Sequence, residues 1–84
     1  MDEARFRELL LANFTWPTQY TFKFVVPTAR VEALYRLFAD TKIETRSSSG
    51  GRYTSVTARP LMESPDAVIG IYHLAAEIEG LLAL

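Results

Sequence analysis

Between Tyr20 and Val26 the chain alternates, with Tyr20, Phe22, Phe24 and Val26 on one side and Thr21, Lys23 and Val25 on the other. A period of two in aromatic and β-branched residues predicts a strand over residues 19–26. Pro27 ends it, and Thr28 is placed to cap a following helix through its hydroxyl. The period then lengthens. Val31, Leu34, Tyr35 and Phe38 recur at i, i+3, i+4 and i+7, one apolar stripe of a helix over residues 29–39. Arg30, Glu32 and Arg36 take its wet side.

A polar strand is predicted over residues 41–46, anchored by Ile43. Its charges at Lys42, Glu44 and Arg46 suit a sheet edge, where charge discourages pairing with another chain. Ser47-Ser48-Ser49-Gly50-Gly51 reads as a hairpin tip. Glycine there supplies positive φ without Cβ strain. A third strand follows over residues 52–62, with Thr54, Val56 and Ala58 inward and Tyr53, Ser55, Thr57 and Arg59 outward. Pro60 cannot donate to a ladder, which places it beyond the hairpin partner or at a bulge. Ser64-Pro65-Asp66 is a helix start: a capping hydroxyl, proline in the first turn, then an acid. Val68, Ile71, Tyr72, Ala75 and Ile78 continue at helical spacing, and Gly80 is expected as a left-handed cap. Leu81-Leu82-Ala83-Leu84 is expected as a short last strand. At the other end, residues 2–13 read as a helix with Asp2 and Glu3 at its positive end and Phe6, Leu9 and Leu10 on one side. Trp16 is expected as a lid on one edge of the core.

Helix first, then βαββαβ: this order predicts a single α+β domain over residues 1–84. Residues 1–18 form the N-terminal helix and connector. Residues 19–84 form a ferredoxin-like βαββαβ core, a four-stranded antiparallel sheet in the order 4-1-3-2 with two helices on one face. The second strand and the C-terminal strand then stand at the edges. The opposite face stays uncovered unless a partner or ligand covers it.

The run Arg46-Ser47-Ser48-Ser49-Gly50-Gly51-Arg52-Tyr53-Thr54-Ser55-Val56-Thr57 resembles the signature of the YbeD-like family, small bacterial proteins of unknown function. Trp16-Pro17-Thr18 before Tyr20-Thr21-Phe22-Lys23, and the closing Leu81-Leu82-Ala83-Leu84, are similar to that family's first and last strands. Two positions depart from its pattern. Ser47 stands where proline often follows the basic residue, and Val26-Pro27 stands where glycine often follows the first strand. The resemblance implies a ferredoxin-like fold related to ACT-type regulatory domains, which bind small effectors at strand–helix turns and domain interfaces. It implies no named reaction, and fold alone does not carry function.

An 84-residue chain with 49% hydrophobic content supports one thin core rather than disorder. Cysteine is absent, so there is no disulfide framework, thiol nucleophile or Cys-ligated zinc. With a net charge of −1, no bulk field draws the protein to nucleic acid or a membrane. No apolar run spans a bilayer, and the acidic start is unlike a signal peptide, so a cytoplasmic location is expected.

Catalytic chemistry finds little support. His73 is the single histidine, one step from the core stripe, with no second histidine to complete a metal set. Nothing aligns it with Asp40 or Asp66 for nucleophilic catalysis. No phosphate-binding glycine motif occurs. The expectation is a non-enzymatic protein without cofactor, a regulatory or protein-interaction module. Two features are candidates for binding. The hairpin tip, with Arg46, Ser48, Ser49, Gly50, Gly51 and Arg52, has the hydroxyls and guanidinium groups to hold a small anionic metabolite, aided by backbone N–H groups. The outward sheet face adds Lys23, Tyr53 and Arg59 as a partner-binding surface. RNA binding there is disfavoured, because one aromatic is a poor base-stacking platform. A monomer is favoured over a homodimer, with residues 2–13 shielding the apolar edge or the helices beside it.

Overall fold

The computed structural model describes residues 2–84. It contains three α-helices, α1 (Glu3–Asn13), α2 (Val31–Leu37) and α3 (Pro65–Ala75), and six strands. The strands are β1 (Thr18–Gln19), β2 (Phe22–Pro27), β3 (Ile43–Ser47), β4 (Tyr53–Ala58), β5 (Leu61–Met62) and β6 (Leu82–Ala83). They form two antiparallel sheets, a four-stranded one in the order β3-β4-β2-β6 and a two-stranded ribbon of β1 and β5.

Alternation along β2 and β4 decides which face is covered. Phe22 pairs with Ala58, Phe24 with Val56 and Val26 with Thr54, and all six are buried. All but Thr54 join Leu34 and Phe38 from the α2 side and Val68 and Ala75 from α3 in one cluster. Phe22 lies at its centre, its ring 4.9 Å from Tyr20, 5.5 Å from Phe38, 5.2 Å from Tyr72 and 6.1 Å from Phe24. Residues of the other parity, Lys23, Val25, Ser55 and Thr57, therefore occupy a face with no helix over it.

Several boundaries differ from the periodicity. The ribbon expected over 19–26 and 52–62 is broken on both strands, between β1 and β2 and between β4 and β5. The break sits opposite Arg59-Pro60. Pro60 has no N–H, and its carbonyl instead accepts from the Tyr20 N–H at 3.1 Å. Arg59 is thus a linker residue rather than a strand residue. The polar strand starts two residues later than expected and ends one later, over 43–47, which leaves Lys42 outside the sheet and Ser47 inside it. The helix expected over 29–39 is a 3-10 turn over Thr28–Arg30 followed by α2. Thr28 does not cap it: its hydroxyl meets the Thr54 hydroxyl at 2.9 Å and so satisfies a buried polar group. Tyr35 leaves the apolar stripe and stands 50% exposed, because Leu34 and Phe38 take the buried positions.

Both outer helices begin as their sequences dictate. The Asp2 carboxylate accepts from the Arg5 N–H, and the Ser64 hydroxyl accepts from the Ala67 N–H at 3.1 Å. α3 ends at Ala75, earlier than expected, because i→i+3 bonds from Glu77, Ile78 and Leu81 tighten the chain into turns. Ile78 still packs on the core.

α1 lies along α3. Phe6 meets Tyr72 edge-on at 5.8 Å, Arg7 donates to Asp66 at 2.7 Å, and Glu3 pairs with His73. Leu10 is buried, whereas Leu9, expected on the same side, faces outward. Trp16 is half-buried as a lid, its Nε1–H donating to the Leu10 carbonyl at 3.3 Å. Tyr72 shares a hydrogen bond with Tyr20 at 3.3 Å. Burial first, then that bond, raises the Tyr72 phenol above its ordinary value, so it stays neutral.

Gly80 joins the C-terminal turn to the sheet. Its φ is +79°, and a Cβ there would lie 2.7 Å from Pro27 Cγ. Gly51 also has positive φ, +71°, but with open space around it. Gly80→Ala is therefore expected to cost about 2–3 kcal/mol, combining left-handed strain with a forced shift of the Pro27 ring. Gly51→Ala carries the conformational cost alone, roughly 1 kcal/mol. Urea midpoints of the two variants check the difference; equal losses would refute the close contact.

Candidate functional site

The uncovered face is built by register. Arg46 on β3 pairs with Ser55 on β4, Ser55 with Val25 on β2, and Val25 with Leu82 on β6. One row thus runs from a guanidinium through a hydroxyl to two apolar side chains. A second row runs Glu44, Thr57, Lys23. It ends beside Leu84, whose N–H donates to the Lys23 carbonyl at 2.9 Å. Leu82 and Leu84 are 63% and 73% exposed. By parity they share this face, while Leu81 packs on the core.

Two shallow depressions of about 360 and 240 Å³ adjoin on this face, sharing Arg46 and Ser55. The larger reaches Glu44 and Thr57, and the smaller reaches Val25, Ser48 and Tyr53. Together they make a trough, charged toward β3 and more apolar toward β2.

Charges on this face and at its hairpin tip differ in freedom. Glu44 accepts from Arg59 at 2.8 Å, so the face's carboxylate is already paired. Among the described residues, Arg46, Arg52 and Lys23 have no ion-pair partner. Lys23, Arg46 and Arg59 against Glu44 leave the face at +2. The rest of the chain therefore carries −3, given the net −1.

The hairpin tip is largely occupied with itself. The Ser48 N–H donates to the Tyr53 carbonyl at 2.8 Å, and the Gly51 N–H to the Ser48 carbonyl at 2.9 Å. The Tyr53 N–H donates to the Ser48 hydroxyl at 3.2 Å. The N–H groups of Ser48, Gly51 and Tyr53 are thus committed within the turn. Arg46, Ser48 and Tyr53 come together at the trough. Ser49, Gly50, Gly51 and Arg52 stay at the exposed tip, and Lys23 lies beside the trough rather than in it.

Ser55 and Thr57 lie on this surface as expected, and Val25, Leu82 and Leu84 belong to it although the sequence did not single them out as site residues. The signal was parity: each shares the outward phase of its strand. His73 lies on exposed α3, tied to Glu3 and away from the trough. Among the described residues no three His, Asp or Glu side chains gather as a metal set, and no helix is long and apolar enough to cross a membrane.

A small α+β domain is thus defined, with helices on one sheet face and, on the other, an open trough in a positively charged surface. The chain belongs to the family described as "Protein of unknown function (DUF493)", whose model matches residues 12–83. α1 lies almost wholly before that match. No curated protein and no solved structure matches the chain.

Proposed function

We propose that this protein is a non-enzymatic docking module, a ferredoxin-like βαββαβ domain that regulates or joins another protein through its open sheet face. The order β3-β4-β2-β6 supports the ferredoxin-like plan: its members are the four strands of a 4-1-3-2 sheet, with α2 and α3 as the two crossovers. On this reading it resembles YbeD-like proteins and ACT-type regulatory domains.

The observation that carries the docking role is the composition of the uncovered face. Tyr53, Leu82 and Leu84 are half or more exposed there, beside cations without partners. Apolar anchors among unpaired charges are what an interface presents before its partner arrives. A free metabolite fits less well. Small-molecule sites enclose most of the ligand, whereas Glu44, Arg46, Ser48 and Tyr53 are all exposed.

Photo-crosslinking residues placed at Tyr53 and at Leu82, in cells of the native host, test this. Tyr35 is the control, equally exposed at 50% but on α2. Discrete protein adducts from Tyr53 and Leu82, absent from Tyr35, are expected. No adduct from the face, or the same adducts from Tyr35, would refute docking by this surface.

A further inference from the structure

The open sheet face, by its chemistry, restricts what docks. We propose that it receives an acidic amphipathic helix of a partner protein, an inference that rests on the docking role of the face. The helix sets its carboxylates against Arg46 and Lys23 and its apolar stripe on Val25, Leu82 and Leu84.

Charge comes first. The face is at +2 on a chain of net −1, and its carboxylate is engaged by Arg59 at 2.8 Å. A basic or neutral partner leaves Arg46 and Lys23 unpaired as the surface dries, which is costly. A second copy meeting this face with its own would set like charges together, with no free carboxylate to relieve them. An acidic partner pairs both cations and is steered toward them.

Shape is the second consideration. From β3 to β6 the sheet crosses three strand spacings, about 14 Å in all. A helix with its side chains is roughly 10–12 Å across. It therefore covers β4, β2 and β6 at once and still reaches Arg46. An extended segment adding to an edge would use backbone groups and leave the face bare.

The apolar flank is the third. Val25 pairs with Leu82 in register, and Leu84 follows two residues on. Three aliphatic side chains in a strip match the i, i+3, i+4 and i+7 anchors of a helix. Nucleic acid would want stacking rings where these aliphatics lie, and Tyr53 is the single aromatic lining the trough.

The probes are three hydrocarbon-stapled helical peptides with the same leucine stripe, flanked by glutamate, glutamine or lysine. The 84-residue chain is titrated with each, and amide resonances and anisotropy are read. The glutamate peptide should shift Val25, Arg46, Ser55 and Leu82, bind at least about tenfold tighter than the other two, and weaken with salt. K23E/R46E should reverse the order while leaving the urea midpoint unchanged, since both side chains are exposed. Equal or tighter binding of the glutamine or lysine peptide at the face would overturn the acidic assignment and leave docking standing. Binding by none of the three would overturn the helix assignment, while the crosslinking experiment decides docking separately. Stronger shifts of the same residues by an oligouridylate would overturn it in favour of nucleic acid. Saturable shifts of residues 46–53 by inorganic phosphate alone would overturn it in favour of a free anion.

Discussion

Phe22→Ala should bring this domain close to its unfolding threshold. Phe22 is fully buried, with Tyr20, Phe24, Phe38 and Tyr72 around its ring. Truncation removes the transfer free energy of the ring and leaves a cavity among side chains from several elements. Such changes cost about 3–5 kcal/mol. A domain of 84 residues holds roughly 4–13 kcal/mol in total, at 0.05–0.15 kcal/mol per residue. The loss is therefore roughly a quarter or more of the reserve, with a fall in Tm of more than about 10 °C. Tyr35→Ala is the internal comparison: half exposed on α2, it should change stability by no more than about 0.5 kcal/mol. Chemical denaturation of both variants measures this. A Phe22 loss below about 1 kcal/mol would mean that the ring is not the centre of the core.

How far the sequence reveals this architecture depends on which force sets each feature. Inward and outward positions on β2 and β4 were legible, because alternation of Phe22, Phe24, Val26, Val56 and Ala58 with polar residues is a direct image of burial. Helix starts at Asp2 and Ser64 were legible because caps are local. Boundaries set by tertiary contacts were not. Thr28 carries every local mark of a capping residue, yet Thr54 lies close enough to take its hydroxyl. Tyr35 has the right spacing for the stripe, but the seven-residue α2 needs only Leu34, with Phe38 just beyond its end, to seal the sheet. The break at Pro60 was foreseeable in kind, since proline cannot continue a ladder, but its continuation as the β1–β5 ribbon was not.

The candidate surface divides in the same way. The outward placement of Lys23, Arg46, Tyr53, Ser55 and Thr57 follows from parity. What alters the picture is pairing in space. Arg59 is spent on Glu44, and the N–H groups of Ser48, Gly51 and Tyr53 are spent inside the turn. The tip thereby loses much of its capacity for an anion, and weight moves onto the sheet. Leu82 and Leu84 gain meaning from β6 lying beside β2 with Leu82 opposite Val25, a register that four apolar residues do not announce.

Removing residues 1–13 should both destabilise the domain and make it associate. An isolated helix of this length is marginal in water, so α1 owes its order to α3. The debt is mutual: Leu10 is buried, and Phe6 covers Tyr72 at 5.8 Å. Deletion exposes the face of α3 around Tyr72 that Phe6 covers. The ion pairs Arg7–Asp66 and Glu3–His73 are lost too, but they lie at the surface and contribute little. The family match begins only at residue 12, so the remaining core is expected to fold. With its edge strand β6 short and α3 covered by α1, the 84-residue chain is expected to be a monomer by light scattering at sub-millimolar concentration. The truncated protein should then show a lower urea midpoint and concentration-dependent association. Phe6→Ala combined with Leu10→Ala keeps the segment but removes its apolar contacts, and should reproduce both effects in weaker form. A dimer of the untruncated chain would refute the monomer. A truncated protein as stable and as monomeric as the parent would show that α1 shields nothing, and that Phe6 and Leu10 cover α3 without holding the domain together.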